Sequence, residues 1–267
     1  RQAGSASPLS IKWGRDLRVG NTLRIVAVVL PALLFAAYLY VQNQPFIYQL
    51  THDKTGLATI DLLEGAPPGS TVMLAWGPRY FAARFAQEQQ GRLAGVELVD
   101  HRADFTALLA RGGRLITPEY TFYNQPVSWW ENKLGSTVYL NAAAPRLVQI
   151  KTQPELAAPP DALAAIAQQI ECTSDTIILS VAWAAPDVPP RDYSVFVHLL
   201  DGGGNLIAQG DQAAPVYGWR PTTTWLANEV VHDVYGLPRQ AEAATVRFGL
   251  YYQAASGEFV NEVVYEL

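Results

Sequence analysis

The stretch Ile25–Val41, IVAVVLPALLFAAYLYV, is an apolar run of 17 residues without a charge. That length is the short end of what crosses the hydrocarbon core of a bilayer as a helix. Leu23 lengthens it on one side, and Tyr38 and Tyr40 give it an aromatic rim on the other. A secretory signal is the first alternative, with Ala36–Ala37 as part of a cleavage site, but the run exceeds the apolar core of such signals. A buried helix of a soluble domain is the second. Pro31 stands inside the run. Proline is costly in a soluble helix interior and tolerated in a membrane when a neighbouring helix satisfies the freed carbonyl. The stretch therefore reads as a transmembrane helix over residues 23–42, with neighbouring transmembrane helices or a membrane complex as partners beside the lipid itself.

The flanks assign a side. Arg1, Lys12, Arg15, Arg18 and Arg24 precede the run against Asp16 alone, a net of +4, and no Lys or Arg follows it until Lys54. The excess of basic residues marks the cytoplasmic side. A basic tail, 1–22, is expected in the cytoplasm and the body outside, with Tyr38, Tyr40, Phe46 and Tyr48 at the outer interface. The whole chain of 267 residues has a net charge of −5, so the rest carries −9, and an acidic body argues against nucleic acid as a partner. Hydrophobic residues make up 49% and charged ones 16%, a balance that fits a span plus folded domains rather than a disordered tail. The single cysteine, Cys172, excludes an internal disulfide, and with no base beside it a buried, apolar thiol is expected.

Between 55 and 151, short apolar runs alternate with helical patterns. Thr55–Glu64 reads as a short helix or turn, closed by the breaker GAPPG at Gly65–Gly69. Strands are expected over Thr71–Trp76, Val96–Val99, Arg114–Thr117, Thr137–Leu140 and Leu147–Lys151. Helices are expected over Arg79–Gln90, Phe105–Ala110 and Pro126–Lys133. Strands separated by helices of this length predict a small three-layer α/β domain with a mainly parallel sheet. Its first strand-to-helix turn, Trp76-Gly77-Pro78-Arg79, lacks both phosphate-loop glycine patterns. Arg79 beside that helix start is a candidate anion contact. Tyr120, Phe122, Tyr123, Trp129 and Trp130 form the densest aromatic cluster. They are read either as a surface for sugar rings or lipid headgroups, or as packing at a sheet edge or domain boundary.

A proline-rich linker, Gln153–Asp161, precedes a region read as an antiparallel β-sandwich over 160–267. Strands are expected over Thr176–Ala184, Tyr193–Leu200, Leu206–Gln209, Val230–Tyr235, Ala244–Tyr252 and Phe259–Tyr265, while Ala162–Gln169 fits a helix or, in preference, a first strand. Gly202–Gly204 forms the turn of a hairpin. Along Tyr193–Leu199, the residues Tyr193, Val195, Val197 and Leu199 alternate with Ser194, Phe196 and His198.

Several segments carry a resemblance. They are Tyr193–Asp211, Trp219–Trp225 (WRPTTTW), Glu229–Pro238 and Arg247–Tyr252, with Pro67-Pro68-Gly69, Trp76-Gly77, Trp129-Trp130 and Leu134-Gly135 before them. From Leu23 onward the chain resembles the C-terminal region of bacterial multi-spanning glycosyltransferases related to protein O-mannosyltransferases, that is, their last membrane helix and extracytoplasmic domains. The resemblance implies a carbohydrate-related role outside the cytoplasm. It carries over no catalysis, because the family's catalytic acids lie near its first membrane helices.

The residues themselves name no reaction. His52, His101, His198 and His232 each have an aspartate near in sequence, but no metal-ligand spacing joins them, and structural hydrogen bonding is the expected role. There is no G-x-S-x-G. No catalytic residue, metal or cofactor is expected. The expected function is a non-catalytic, membrane-anchored part of a glycosyltransferase-like protein that helps hold an acceptor or acts as a scaffold. One alternative is a single-span accessory subunit of a respiratory or photosynthetic type of complex. The other is a membrane-tethered carbohydrate-binding module, with a glycan partner on Trp129, Trp130, Trp219, Trp225 and Arg79.

Overall fold

The computed structural model describes residues 16–267, with side chains from 25 onward. The first fifteen residues of the expected basic tail, with Arg1, Lys12 and Arg15, lie outside the described residues. Helix α1 (Asp16–His52) has 37 residues and contains Pro31 and Pro45. At 1.5 Å per residue it is roughly 55 Å long, well beyond the span expected over 23–42. The apolar run ends at Val41, but Gln42–Gln44 are compatible with helix and carry it on. Asn43 Nδ2 donates to the Leu39 carbonyl at 2.7 Å and Thr51 Oγ1 to that of Ile47 at 2.9 Å. Every side chain from Ile25 to His52 is exposed. Among the described residues this is the one helix long and apolar enough to cross a membrane.

Residues 55–267 form a compact unit of their own. It begins with α2 (Thr55–Glu64), β1 (Ser70–Met73), α3 (Pro78–Gln90), β2 (Val96–Val99), α4 (Phe105–Ala110) and β3 (Arg114–Pro118). A 3-10 turn, Glu119–Tyr123, then leads to α5 (Val127–Leu134), β4 (Tyr139–Ala144) and β5 (Leu147–Lys151). Asp104 caps α4, its carboxylate accepting from the Ala107 N–H at 3.0 Å. The five strands form one sheet in the order β2-β1-β3-β5-β4. Successive side chains in a strand point to opposite faces. Val72, Leu74, Ile116 and Leu147 accordingly meet Leu63 of α2 and Ala83 of α3 on one face. Met73, Leu115, Val148 and Ile150 meet Phe105 and Leu108 of α4 and Trp130 and Leu134 of α5 on the other.

The mainly parallel sheet expected from sequence is corrected. β1 pairs parallel with β2 and β3, whereas β3–β5 and β5–β4 are antiparallel. The reason is local: β4 runs on to Ala144, so only Pro145 and Arg146 separate it from β5, and a two-residue connection joins antiparallel neighbours. Arg146 takes the positive φ, 63°, that such a turn requires.

The remainder is all strand. The elements are β6 (Ala164–Cys172), β7 (Thr176–Ala184), β8 (Ser194–Asp201), β9 (Leu206–Gln209), β10 (Val230–Pro238), β11 (Ala243–Gln253) and β12 (Phe259–Glu266). They form two antiparallel sheets, β10-β7-β6 and β12-β11-β8-β9. Leu179, Val181 and Trp183 of β7 share a buried cluster with Val195, Val197 and Leu199 of β8 and with Phe248 and Leu250 of β11. Trp183 meets Phe248 edge-on at 6.0 Å.

That cluster also contains Met73, Phe105, Leu115 and Trp130 of the first sheet and its helices, so the two regions share a core. Polar bonds fasten the seam. The Tyr217 hydroxyl shares its one proton between the carbonyls of Ala144 and Val234 (2.8 and 2.6 Å), and Asn141 Oδ1 accepts from the His232 N–H at 2.8 Å. The proline-rich linker is pinned as well: the Ala157 N–H donates to Asn228 O at 3.0 Å and the Val230 N–H to Glu155 O at 2.7 Å. Cys172 corrects a second expectation, because its thiol is exposed. It ends β6, an edge strand most of whose residues face solvent.

Candidate functional site

Of the four tryptophans singled out in the sequence, Trp130 and Trp225 are buried and Trp129 and Trp219 are half-buried. Trp130 is 0% and Trp225 1% exposed, so neither offers a face to a ligand. Trp130 lies between Phe105 at 5.3 Å and Phe122 at 6.3 Å, and Trp129 stands edge-on to it at 5.0 Å. Trp219, half-buried, stacks on Phe122 at 5.4 Å and meets Tyr123 at 5.2 Å. The aromatic cluster of the first region thus packs on Trp219 of the second. Trp225 anchors the segment between β9 and β10, donating from Nε1 to Arg220 O at 3.3 Å. Beside it, Arg220 and Glu229 form a buried ion pair in which Arg220 Nη2 donates to both carboxylate oxygens of Glu229, at 2.7 and 2.9 Å. Arg79 stacks on the Tyr120 ring, 4.0 Å from its centre, which occupies one face of its guanidinium at the start of α3.

The histidines go to separate partners. His198 Nε2 is 3.3 Å from Asp211 and His232 Nε2 is 3.3 Å from Glu155. His101 Nδ1 accepts from the Trp76 N–H at 3.4 Å, and His52 Nδ1 bonds the Tyr48 carbonyl at 2.9 Å. Among the described residues no three His, Cys, Asp or Glu side chains group as a metal site.

Two grooves remain. A polar one of about 550 Å³ lies where β4 and β5 meet β6, β7 and β10, and includes Arg114, Asn141, Gln168, Ser180 and His232. Glu155 stands in it between Lys151 (3.0 Å) and His232, and hydrogen bonds from Lys151 first and then His232 hold its carboxyl below the usual range against the effect of burial. Three of its charged or titratable side chains, Lys151, Glu155 and His232, thus engage one another.

The other groove, about 580 Å³, lies on the outer face of β12-β11-β8-β9 and includes Phe196, His198, Asp211, Arg247, Tyr251, Phe259, Asn261 and Glu266. Strand register builds it row by row. Glu266, Arg247 and His198 lie side by side across β12, β11 and β8; Val264, Gly249 and Phe196 form the next row; Asn261, Tyr251 and Ser194 the third. Gly249 makes the floor possible. A Cβ there would come within 2.8 Å of the Phe196 ring and 1.9 Å of the Val263 carbonyl oxygen, so only glycine lets the ring settle over the strand. Phe196 is 6.3 Å from Tyr251, which meets Phe259 edge-on at 5.6 Å. Phe259 is 66% exposed. At the other end, Arg247 bonds Glu266 at 2.5 Å and His198 faces Asp211. The result is an aromatic shelf with a polar rim.

Sequence reasoning singled out tryptophans and missed Tyr251 and Phe259. The signal was present in the alternation of Ser194, Phe196 and His198 and in Arg247, Gly249 and Tyr251, which places these side chains on the face opposite the core. Compared with known proteins, the chain matches no protein-family model and no curated protein.

Proposed function

We propose that the chain is a membrane-anchored protein whose body, 55–267, lies outside the cytoplasm as a non-catalytic, glycosyltransferase-like portion that holds an acceptor or serves as a scaffold. In this reading α1 crosses the bilayer, and the two antiparallel sheets stack as a β-sandwich on the α/β region. One observation carries it. From Ile25 to Val41 every side chain is exposed and nearly all are apolar, a surface that lipid or other membrane helices would cover and water would not. The basic flank supports the side. The resemblance to the C-terminal region of multi-spanning glycosyltransferases supports the class.

A second reading, an accessory subunit of a larger membrane complex, is favoured by the prolines in α1. Pro31 and Pro45 leave the carbonyls of Ala27 and Val41 without their helical donors, and a packed neighbour would satisfy them.

Cys172 supplies the test. It is the only cysteine and its thiol is exposed. A membrane-impermeant maleimide added to intact spheroplasts is expected to label the full chain. Labelling only after permeabilisation would place the body inside and overturn the assignment. Recovery of the chain in the soluble fraction without detergent would overturn the anchor itself.

A further inference from the structure

We propose that the groove on the outer face of β12-β11-β8-β9 binds a neutral carbohydrate, with Tyr251 and Phe259 as the stacking platform and His198, Asp211, Arg247, Asn261 and Glu266 as the hydroxyl-binding rim. The proposal rests on the acceptor-holding reading for its place in the protein's work, and on the groove alone for its chemistry.

Three observations choose this ligand. The first is shape. A groove of about 580 Å³ has room for one or two sugar rings and is open along its length. The second is the platform. Phe259 is exposed in a protein whose other large rings in this region, Trp183, Trp225 and Phe248, are buried. Tyr251 lies edge-on to it, and Phe196 supports Tyr251 from the Gly249 hollow. An exposed aromatic ring held by its neighbours offers contact area at little cost in side-chain entropy. A hexose presents a matching apolar C–H face and leaves its hydroxyls pointing outward.

The third observation is charge. Arg247, the one lysine or arginine of the groove, is engaged by Glu266, while His198 faces Asp211 and the Val197 N–H also donates to Asp211 at 3.1 Å. Among the described residues of the groove no unpaired lysine or arginine is present to hold a phosphate or carboxylate, and the two carboxylates would repel one. Paired donors and acceptors a few ångströms apart instead suit vicinal hydroxyls, which both donate and accept. Asn261 adds an amide with the same double capacity.

The test is saturation-transfer NMR on the full chain, in a detergent without a sugar headgroup, with maltose, cellobiose and mannobiose as neutral probes and inorganic phosphate as the anionic probe. At least one disaccharide is expected to receive saturation, strongest at its C–H face, with no displacement by phosphate. Phe259→Ala removes an exposed ring and leaves the core untouched; it is expected to weaken that binding by about tenfold. Arg247→Ala is expected to weaken it as well, whereas Arg84→Ala on α3, where the arginine pairs with Glu88 at the surface, leaves it unchanged. Absence of transfer to all three disaccharides, equal transfer with Phe259→Ala, or competition by phosphate would each overturn the proposal. Failure here with Cys172 labelled from outside would leave the anchor and its orientation standing. Binding with Cys172 shielded would do the reverse.

Discussion

Asp233 is an acid in the wrong medium. Its carboxyl is fully buried, and burial pushes it up to about 6, against the opposing effect of the Tyr235 hydroxyl and the Val216 N–H that donate to it. Because the folded value lies above the unfolded one, the native state binds the extra proton between about pH 4 and 6, and stability falls as pH rises through that window. A shift of this size corresponds to roughly 3 kcal/mol. Asp233→Asn is expected to gain stability relative to wild type by about 2–3 kcal/mol between pH 4 and pH 7, read by denaturant unfolding at both values. Parallel pH profiles for the two proteins would show that the Asp233 carboxyl titrates alike in the folded and unfolded states and would overturn the shift. Single residues were the least legible scale in the sequence. Trp130 and Trp225 have the composition of a binding surface and the burial of a core, because a large ring is equally suited to both and only its neighbours decide. Cys172 shows the converse: a residue type usually buried stands exposed because its strand is an edge.

At the scale of elements the sequence was far more informative, since periodicity is a property of a stretch rather than of a side chain. The strands Thr176–Ala184 and Val96–Val99 and the helix Phe105–Ala110 stand where their patterns place them. The misreadings occur where one element meets the next. The β4–β5 turn was hidden because Asn141–Ala144 is one asparagine and three small alanines, a stretch with little strand signal, and α1 continues past its apolar run because glutamine is also a good helix former. The α2–α3 contact offers a test of element packing. Gly56 lies so close to α3 that a Cβ would stand 2.9 Å from that of Ala82. Gly56→Val is expected to push the helices apart and cost about 1–3 kcal/mol, measured as a lower denaturation midpoint with an unchanged slope. A midpoint at or above that of wild type would mean that α2 is not held against α3.

The whole molecule behaves as its core dictates. Trp219 stacks on Phe122, Tyr217 bonds Ala144, and a single apolar cluster runs from Met73 to Phe248. Residues 55–267 are therefore expected to unfold in one transition, with near-ultraviolet circular dichroism and β-sheet signal lost together; two separated midpoints would mean that the seam is weak. The sequence suggested a boundary at the linker because proline-rich stretches often divide independent domains. The backbone bonds of Glu155 and Ala157 to β10 and its approach hold that stretch against the body instead. The seam has a meaning for inheritance as well as for folding. Neither half can leave without baring the rings that face the other, so duplication, fusion or loss during evolution should act on the pair. The two regions would travel between genes as one cassette, even where the chain between them has been cut.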